Sequence, residues 1–128
     1  MNFDDNLSIL LVEDNELNQR LMKISLTRYN YKVAIAAYGL EGVQMFKDQK
    51  FDLILMDIMM PVMDGFEATR EIRNIESENP GLGKIPIIAF TANTINNDRE
   101  KCVNGGMDDI LEKPFDINKF REILSSLP

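Results

Sequence analysis

Three segments of the chain are almost continuously apolar: Leu7-Ser8-Ile9-Leu10-Leu11-Val12, Leu53-Ile54-Leu55-Met56 and Ile85-Pro86-Ile87-Ile88-Ala89-Phe90. A strand with one wet face alternates polar and apolar residues. Runs without alternation read as strands covered on both faces, the habit of a parallel sheet. Lys32-Val33-Ala34-Ile35-Ala36 and Asp109-Ile110-Leu111 are shorter candidates. Pro86 falls near the start of its segment, where a missing N–H is tolerated. Between these runs the apolar period lengthens. Leu17, Leu21 and Ile24 recur at helical spacing and predict one core stripe; Leu40, Val43 and Phe46 predict a second, and Phe120, Ile123, Leu124 and Leu127 a third. Glu67 to Ile75 and Ile95 to Val103 supply two less regular helical segments, and Ser77 to Gly83 reads as a loop. Five strands alternating with five helices predict an α/β fold, a doubly wound five-stranded parallel sheet with right-handed crossovers.

In such a sheet ligands bind beyond the carboxyl ends of the strands, near the switch in strand order. The first strand ends in Glu13-Asp14, the third in Asp57, the fourth in Thr91 and the fifth at Lys113-Pro114. Polar side chains from distant parts of the sequence thus converge on one edge of an apolar sheet. Three carboxylates held close together repel one another unless a cation sits among them. An all-oxygen site suits a hard cation, and Mg²⁺ fits best. Lys113 adds a second positive charge and Thr91 a hydroxyl donor, the equipment for neutralising a phosphoryl group in transfer. A carboxylate is a competent nucleophile for an acyl phosphate.

Composition narrows the options. The chain has 128 residues, one domain spanning 1–128, with a formal net charge of −7 from 21 acidic and 14 basic residues. That balance argues against direct nucleic-acid binding, which requires a basic face. Histidine is absent, which excludes His-ligated metals, Ser-His-Asp hydrolysis and a phosphohistidine carried by this chain. The lone Cys102 forbids an intrachain disulfide and fits a reducing cytoplasm. No apolar run is long enough to cross a bilayer, and Met1 to Asn6 lacks the character of a signal peptide.

Val12-Glu13-Asp14-Asn15, Met56-Asp57-Ile58-Met59-Met60-Pro61-Val62-Met63-Asp64-Gly65, Thr91-Ala92-Asn93 and Lys113-Pro114, in that order, resemble the response-regulator receiver family of two-component signalling. Val12 to Gln19 and Gly106-Met107-Asp108-Asp109 are most similar to receivers fused to hybrid sensor histidine kinases. The resemblance implies the flavodoxin-like receiver fold and a Mg²⁺-dependent phosphoacceptor that takes its phosphoryl group from a phosphohistidine. Asp57 would be the acceptor. Asp14 would bind Mg²⁺ directly, Glu13 through water, and the backbone carbonyl of Met59 would complete the protein ligands. Thr91 and Lys113 would contact the phosphoryl oxygens, and the Lys113–Pro114 bond would be cis. Met59 and Asn93 stand where the family tunes phosphate lifetime, and Gly65 where the loop calls for unusual backbone angles. The partner implied is a histidine kinase or histidine phosphotransfer domain, docked beside Asp57 on the first helix, with Asn18 and Met22 as candidate contacts. A weak homodimer is left open.

The surface that reports phosphorylation would be the fourth helix, fifth strand and fifth helix, from Ile95 to Leu124. The departure from the family's pattern is Ile110, which stands where an aromatic switch partner for Thr91 is usual. It keeps a second reading open, a phosphate-independent interaction module. An enzyme of the haloacid-dehalogenase type fits poorly, because Met59 occupies the acid/base position two residues after the nucleophile. The domain is therefore expected to be a signalling element, free-standing or part of a hybrid kinase.

Overall fold

A computed structural model describes residues 6–92 and 98–127. Strands β1 (Ser8–Val12), β2 (Lys32–Ala36), β3 (Leu53–Asp57), β4 (Ile87–Thr91) and β5 (Asp109–Glu112) form one parallel sheet in the order β2-β1-β3-β4-β5. Helices α1 (Glu16–Thr27), α2 (Gly39–Asp48), α3 (Gly65–Glu78), α4 (Asp98–Asn104) and α5 (Ile117–Ser126) connect them. The expected alternation and the parallel sheet are both present. The loop expected at Ser77 to Gly83 is partly helical: α3 runs to Glu78, and Pro80–Leu82 forms a 3-10 turn.

Because successive strand residues face opposite sides, the sheet divides its apolar residues between two cores. Leu10, Val12, Ile54, Met56, Ile87 and Ala89 pack with Val43, Ala68, Ile72 and Cys102 of α2, α3 and α4. Ile9, Leu11, Leu53, Leu55, Ile88 and Phe90 pack with Met22, Leu26, Phe120 and Leu124 of α1 and α5. The central strands β3 and β4 are buried at every position, which is why their sequences show no alternation. At the amino edge, Arg73 ties α3 to its surroundings. It donates to the carbonyls of Gly106 at 2.9 Å and Ile85 at 2.8 Å, and pairs with Glu76 at 2.8 Å and Asp108 at 3.0 Å.

Helix α1 departs from expectation. Leu17, Leu21 and Ile24 are 64%, 53% and 52% exposed, while the buried residues of the helix are Met22 and Leu26. The helix is turned so that Asn18 and Gln19 face the β1 terminus. Gln19 donates to the Glu13 carbonyl at 2.6 Å, and Asn18 to the Glu13 carboxylate at 3.4 Å. The inward stripe is therefore polar near the site and apolar farther along, and the three-residue apolar repeat lies on the solvent side. Met22 is corrected from a docking contact to a core residue.

This orientation sets opposite expectations for neighbouring positions. Met22→Ala should cost roughly 2–5 kcal/mol, the range for truncating a fully buried side chain. Leu21→Ala should stay within about 0.5 kcal/mol. Urea denaturation of both variants tests the assignment, and similar losses would contradict it.

Candidate functional site at the carboxyl edge

Each candidate residue lies where its strand runs out. Glu13 and Asp14 follow β1, Asp57 closes β3, Thr91 closes β4, and Lys113 follows β5. Strands β1 and β3 are neighbours in the sheet but the chain leaves them in opposite directions, so the gap above them is the switch point. Glu13, Asp14 and Asp57 each present a carboxylate oxygen within 4.8 Å of the others. Glu13 and Asp57 are buried, and Asp14 is open to solvent.

Lys113 reaches across β4 to this cluster. Its Nζ lies 3.0 Å from Asp57 Oδ1 and 5.2 Å from the centre of the Phe90 ring, so the aromatic face supports the ammonium on its way. The Lys113 amide donates to the Thr91 carbonyl at 2.8 Å, which fixes the lysine beside the buried threonine. The Lys113–Pro114 bond is cis. The Met59 amide donates to Asp57 Oδ1 at 3.2 Å. Asp57 Oδ2 is buried and has no hydrogen-bond partner.

Glu13 is held by its own helix. The Asn15 amide donates to it at 3.0 Å, and Asn15 in turn caps α1 by accepting from the Asn18 amide at 2.9 Å. Burial raises the Glu13 carboxyl from 4.5 to about 7, with the charge of Asp57 acting in the same direction, against the Asn15 amide and Lys113.

Gly65 serves close approach rather than an unusual backbone angle. A Cβ there would lie 2.5 Å from the Asp57 carbonyl oxygen and 2.8 Å from Ile58 Cα, both backbone atoms that cannot give way. The left-handed residue of this loop is Val62, with φ of 68° and a fully exposed side chain. Ile110 is buried in the core shared with Cys102 and Met107. Asn93 and Ile95 lie outside the described residues. Sequence reasoning missed Asn15, Asn18, Gln19 and Phe90 as supports of the site. Asn15 was legible as a helix cap; the others depend on helix rotation and on the reach of Lys113. A cavity of about 550 Å³ between Phe46, Lys47, Ile75 and Leu82 lies at the other edge of the sheet and is lined by neither Glu13, Asp14 nor Asp57.

Acidic pair, aspartate, threonine and lysine on this topology define a class: aspartate-bearing receiver modules of two-component systems. The sequence matches the response regulator receiver domain over residues 9–125, and the chain belongs to that family. It is 40% identical over 123 residues to hybrid signal transduction histidine kinase I of Dictyostelium discoideum, with 92% of this chain covered. It is also 40% identical over 120 residues to the autoinducer 2 sensor kinase/phosphatase LuxQ of Vibrio parahaemolyticus, with 94% covered. The chain spans only 7% and 13% of the lengths of those two relatives.

Among solved structures, the receiver domain of the Pseudomonas aeruginosa sensor kinase PA1611, with magnesium in its active-site cleft, aligns with TM-score 0.81 and 42% identity. That alignment covers 94% of this chain and 95% of that one. The receiver domain of Saccharomyces cerevisiae Ssk1, solved with the phosphotransfer protein Ypd1, aligns with TM-score 0.87 and 29% identity, covering 97% and 90%.

The raised carboxyl of Glu13 has a consequence for stability. Between about pH 4.5 and 7 the folded chain keeps a proton on Glu13 that the unfolded chain releases. Its contribution to stability is therefore greatest below pH 4.5 and declines as the pH rises through 7, by up to about 3 kcal/mol. In metal-free urea denaturation at pH 5.5 and 7.5, Glu13→Gln should remove that part of the decline. Equal pH slopes in the two proteins would refute it.

Proposed function

We propose that residues 1–128 act as a single receiver domain that accepts a phosphoryl group on Asp57 from a phosphohistidine of another protein or domain. The P–N bond to the imidazole breaks, and a P–O bond to an Asp57 carboxylate oxygen forms. The observation that carries this reading is the pairing of Lys113 with Asp57 Oδ1 at 3.0 Å, at a buried carboxylate whose Oδ2 is bonded by no backbone amide or cationic side chain. One oxygen of the acceptor is already supported by positive charge, and the other is left for an incoming group.

The all-oxygen cluster within 4.8 Å and the unpartnered Oδ2 fit a hard divalent cation. Asp14, Asp57 and the Met59 carbonyl would hold Mg²⁺, with Glu13 acting through water. When bound, Mg²⁺ supplies charge neutralisation for the phosphoryl oxygens. Lys113 neutralises the acceptor carboxylate, and the Thr91 hydroxyl donates to the phosphoryl group. The added charge, near −2, then favours an inward arrangement of Thr91 and Lys113. The surface around β5 and α5 would report the change. With Ile110 already in the core, this readout depends on Thr91 and its loop rather than on an aromatic rotamer.

The phosphodonor would be a histidine kinase or histidine phosphotransfer domain. Leu17, Leu21 and Ile24 give it an apolar face on the helix that begins beside the site. No helix among the described residues is long and apolar enough to cross a membrane, and we place the module in the cytoplasm.

Incubation with Mg²⁺ and acetyl phosphate, followed by intact mass, tests the acceptor. One phosphoryl adduct is expected in the wild type, none in Asp57→Asn, and none after chelation of Mg²⁺. Absence of any adduct together with absence of Mg²⁺ binding would favour the phosphate-independent module. Leu17→Ala/Leu21→Ala should keep the acetyl phosphate reaction and slow transfer from a phosphorylated histidine phosphotransfer protein. Slowing of both reactions would argue against the docking role.

A further inference from the structure

The β3–α3 loop carries an exposed thioether on Met59, the residue whose backbone amide is bonded to Asp57. Met59 is 73% exposed, whereas Met22, Met56, Met60 and Met107 are buried and Met45 and Met63 are partly covered. Its backbone amide is bonded to Asp57 Oδ1, so one residue links the solvent-facing thioether to the acceptor carboxylate. Access governs thioether oxidation, and the product exchanges a flexible apolar group for a polar one with a strong acceptor oxygen. Cys102 offers no competing thiol at the surface, because it is buried.

Resting on the phosphoacceptor reading above, we infer that Met59 is a redox-sensitive modification site that sets the lifetime of the phosphorylated state. A sulfur lone pair attacks one oxygen of a peroxide; the S–O bond forms, the O–O bond breaks, and the departing oxygen leaves as water once protonated. Sulfur is oxidised by two electrons and the peroxide reduced by two. The unmodified side chain has no strong acceptor for water. The sulfoxide does, at the mouth of the site, and it holds the water that attacks phosphorus. Hydrolysis then breaks the bond between phosphorus and the Asp57 oxygen and releases inorganic phosphate. Peroxide thus shortens the signal, and enzymatic reduction of the sulfoxide restores it.

The test uses the intact chain treated with hydrogen peroxide and then phosphorylated with acetyl phosphate and Mg²⁺. Peptide mass spectrometry should find Met59 oxidised before the buried methionines. After removal of the donor, the oxidised protein should lose its phosphoryl group about fivefold faster, the rate equivalent of one hydrogen bond. A methionine sulfoxide reductase with a dithiol should return the slower rate. Met59→Leu, whatever its own rate, should not respond to peroxide, and Met59→Gln should decay quickly without it.

Met59 oxidising no faster than Met22 or Met56 would overturn the inference, as would equal decay of the reduced and oxidised proteins. A peroxide response that persists in Met59→Leu would also overturn it. A reduced protein that takes no phosphoryl group at all would instead overturn the phosphoacceptor reading, and this inference with it.

Discussion

Crowding of negative charge at the carboxyl edge is the constraint around which the local structure is arranged. Glu13, Asp14 and Asp57 are brought within 4.8 Å because β1 and β3 are neighbours and both end there. Two of the three are buried, where repulsion is poorly screened. The protein offsets this in three ways. Lys113 stands 3.0 Å from Asp57, an attraction of roughly 5 kcal/mol at an effective dielectric near 20, from which the cost of desolvating both groups must be subtracted. Backbone amides of Asn15 and Met59 donate to Glu13 and Asp57. Glu13, pushed up mainly by its burial and further by the charge of Asp57, holds its proton to about pH 7.

The same need for donors explains the orientation of α1. Asn18 and Gln19 turn inward to secure Glu13, and the stripe containing them becomes the inward one. Leu17, Leu21 and Ile24 are left facing water. An apolar face on the helix that begins beside Asp57 thus accompanies the polar anchoring. Gly65 belongs to the same economy of space, since α3 starts so close to the end of β3 that only a hydrogen fits there.

Away from this edge the fold is held by ordinary means. Two apolar cores, one on each side of the sheet, bury β3 and β4 completely, while Arg73 closes the opposite end by bonding to two separate segments, one before β4 and one before β5. Strand ends can therefore carry unfavourable charge without loss of the sheet.

Much of this was legible before any coordinates. Uninterrupted apolar runs announced strands covered on both faces, and their alternation with helical segments announced the parallel sheet. The site residues could be named because parallel strands deliver their carboxyl ends to a common edge, so Asp14, Asp57, Thr91 and Lys113 had to share it. Periodicity could not decide which face of α1 is buried. Leu17, Leu21 and Ile24 make a valid apolar stripe, and it is turned outward by the packing of Met22 and Leu26 in the core together with the hydrogen bonds from Asn18 and Gln19 to Glu13. The role of Gly65 was likewise out of reach, since its requirement comes from the approach of another backbone segment and not from its own dihedral angles. Sequence pattern determined which residues meet at the edge; packing and hydrogen bonding decided how they are supported, what charge Glu13 carries and which surface faces outward.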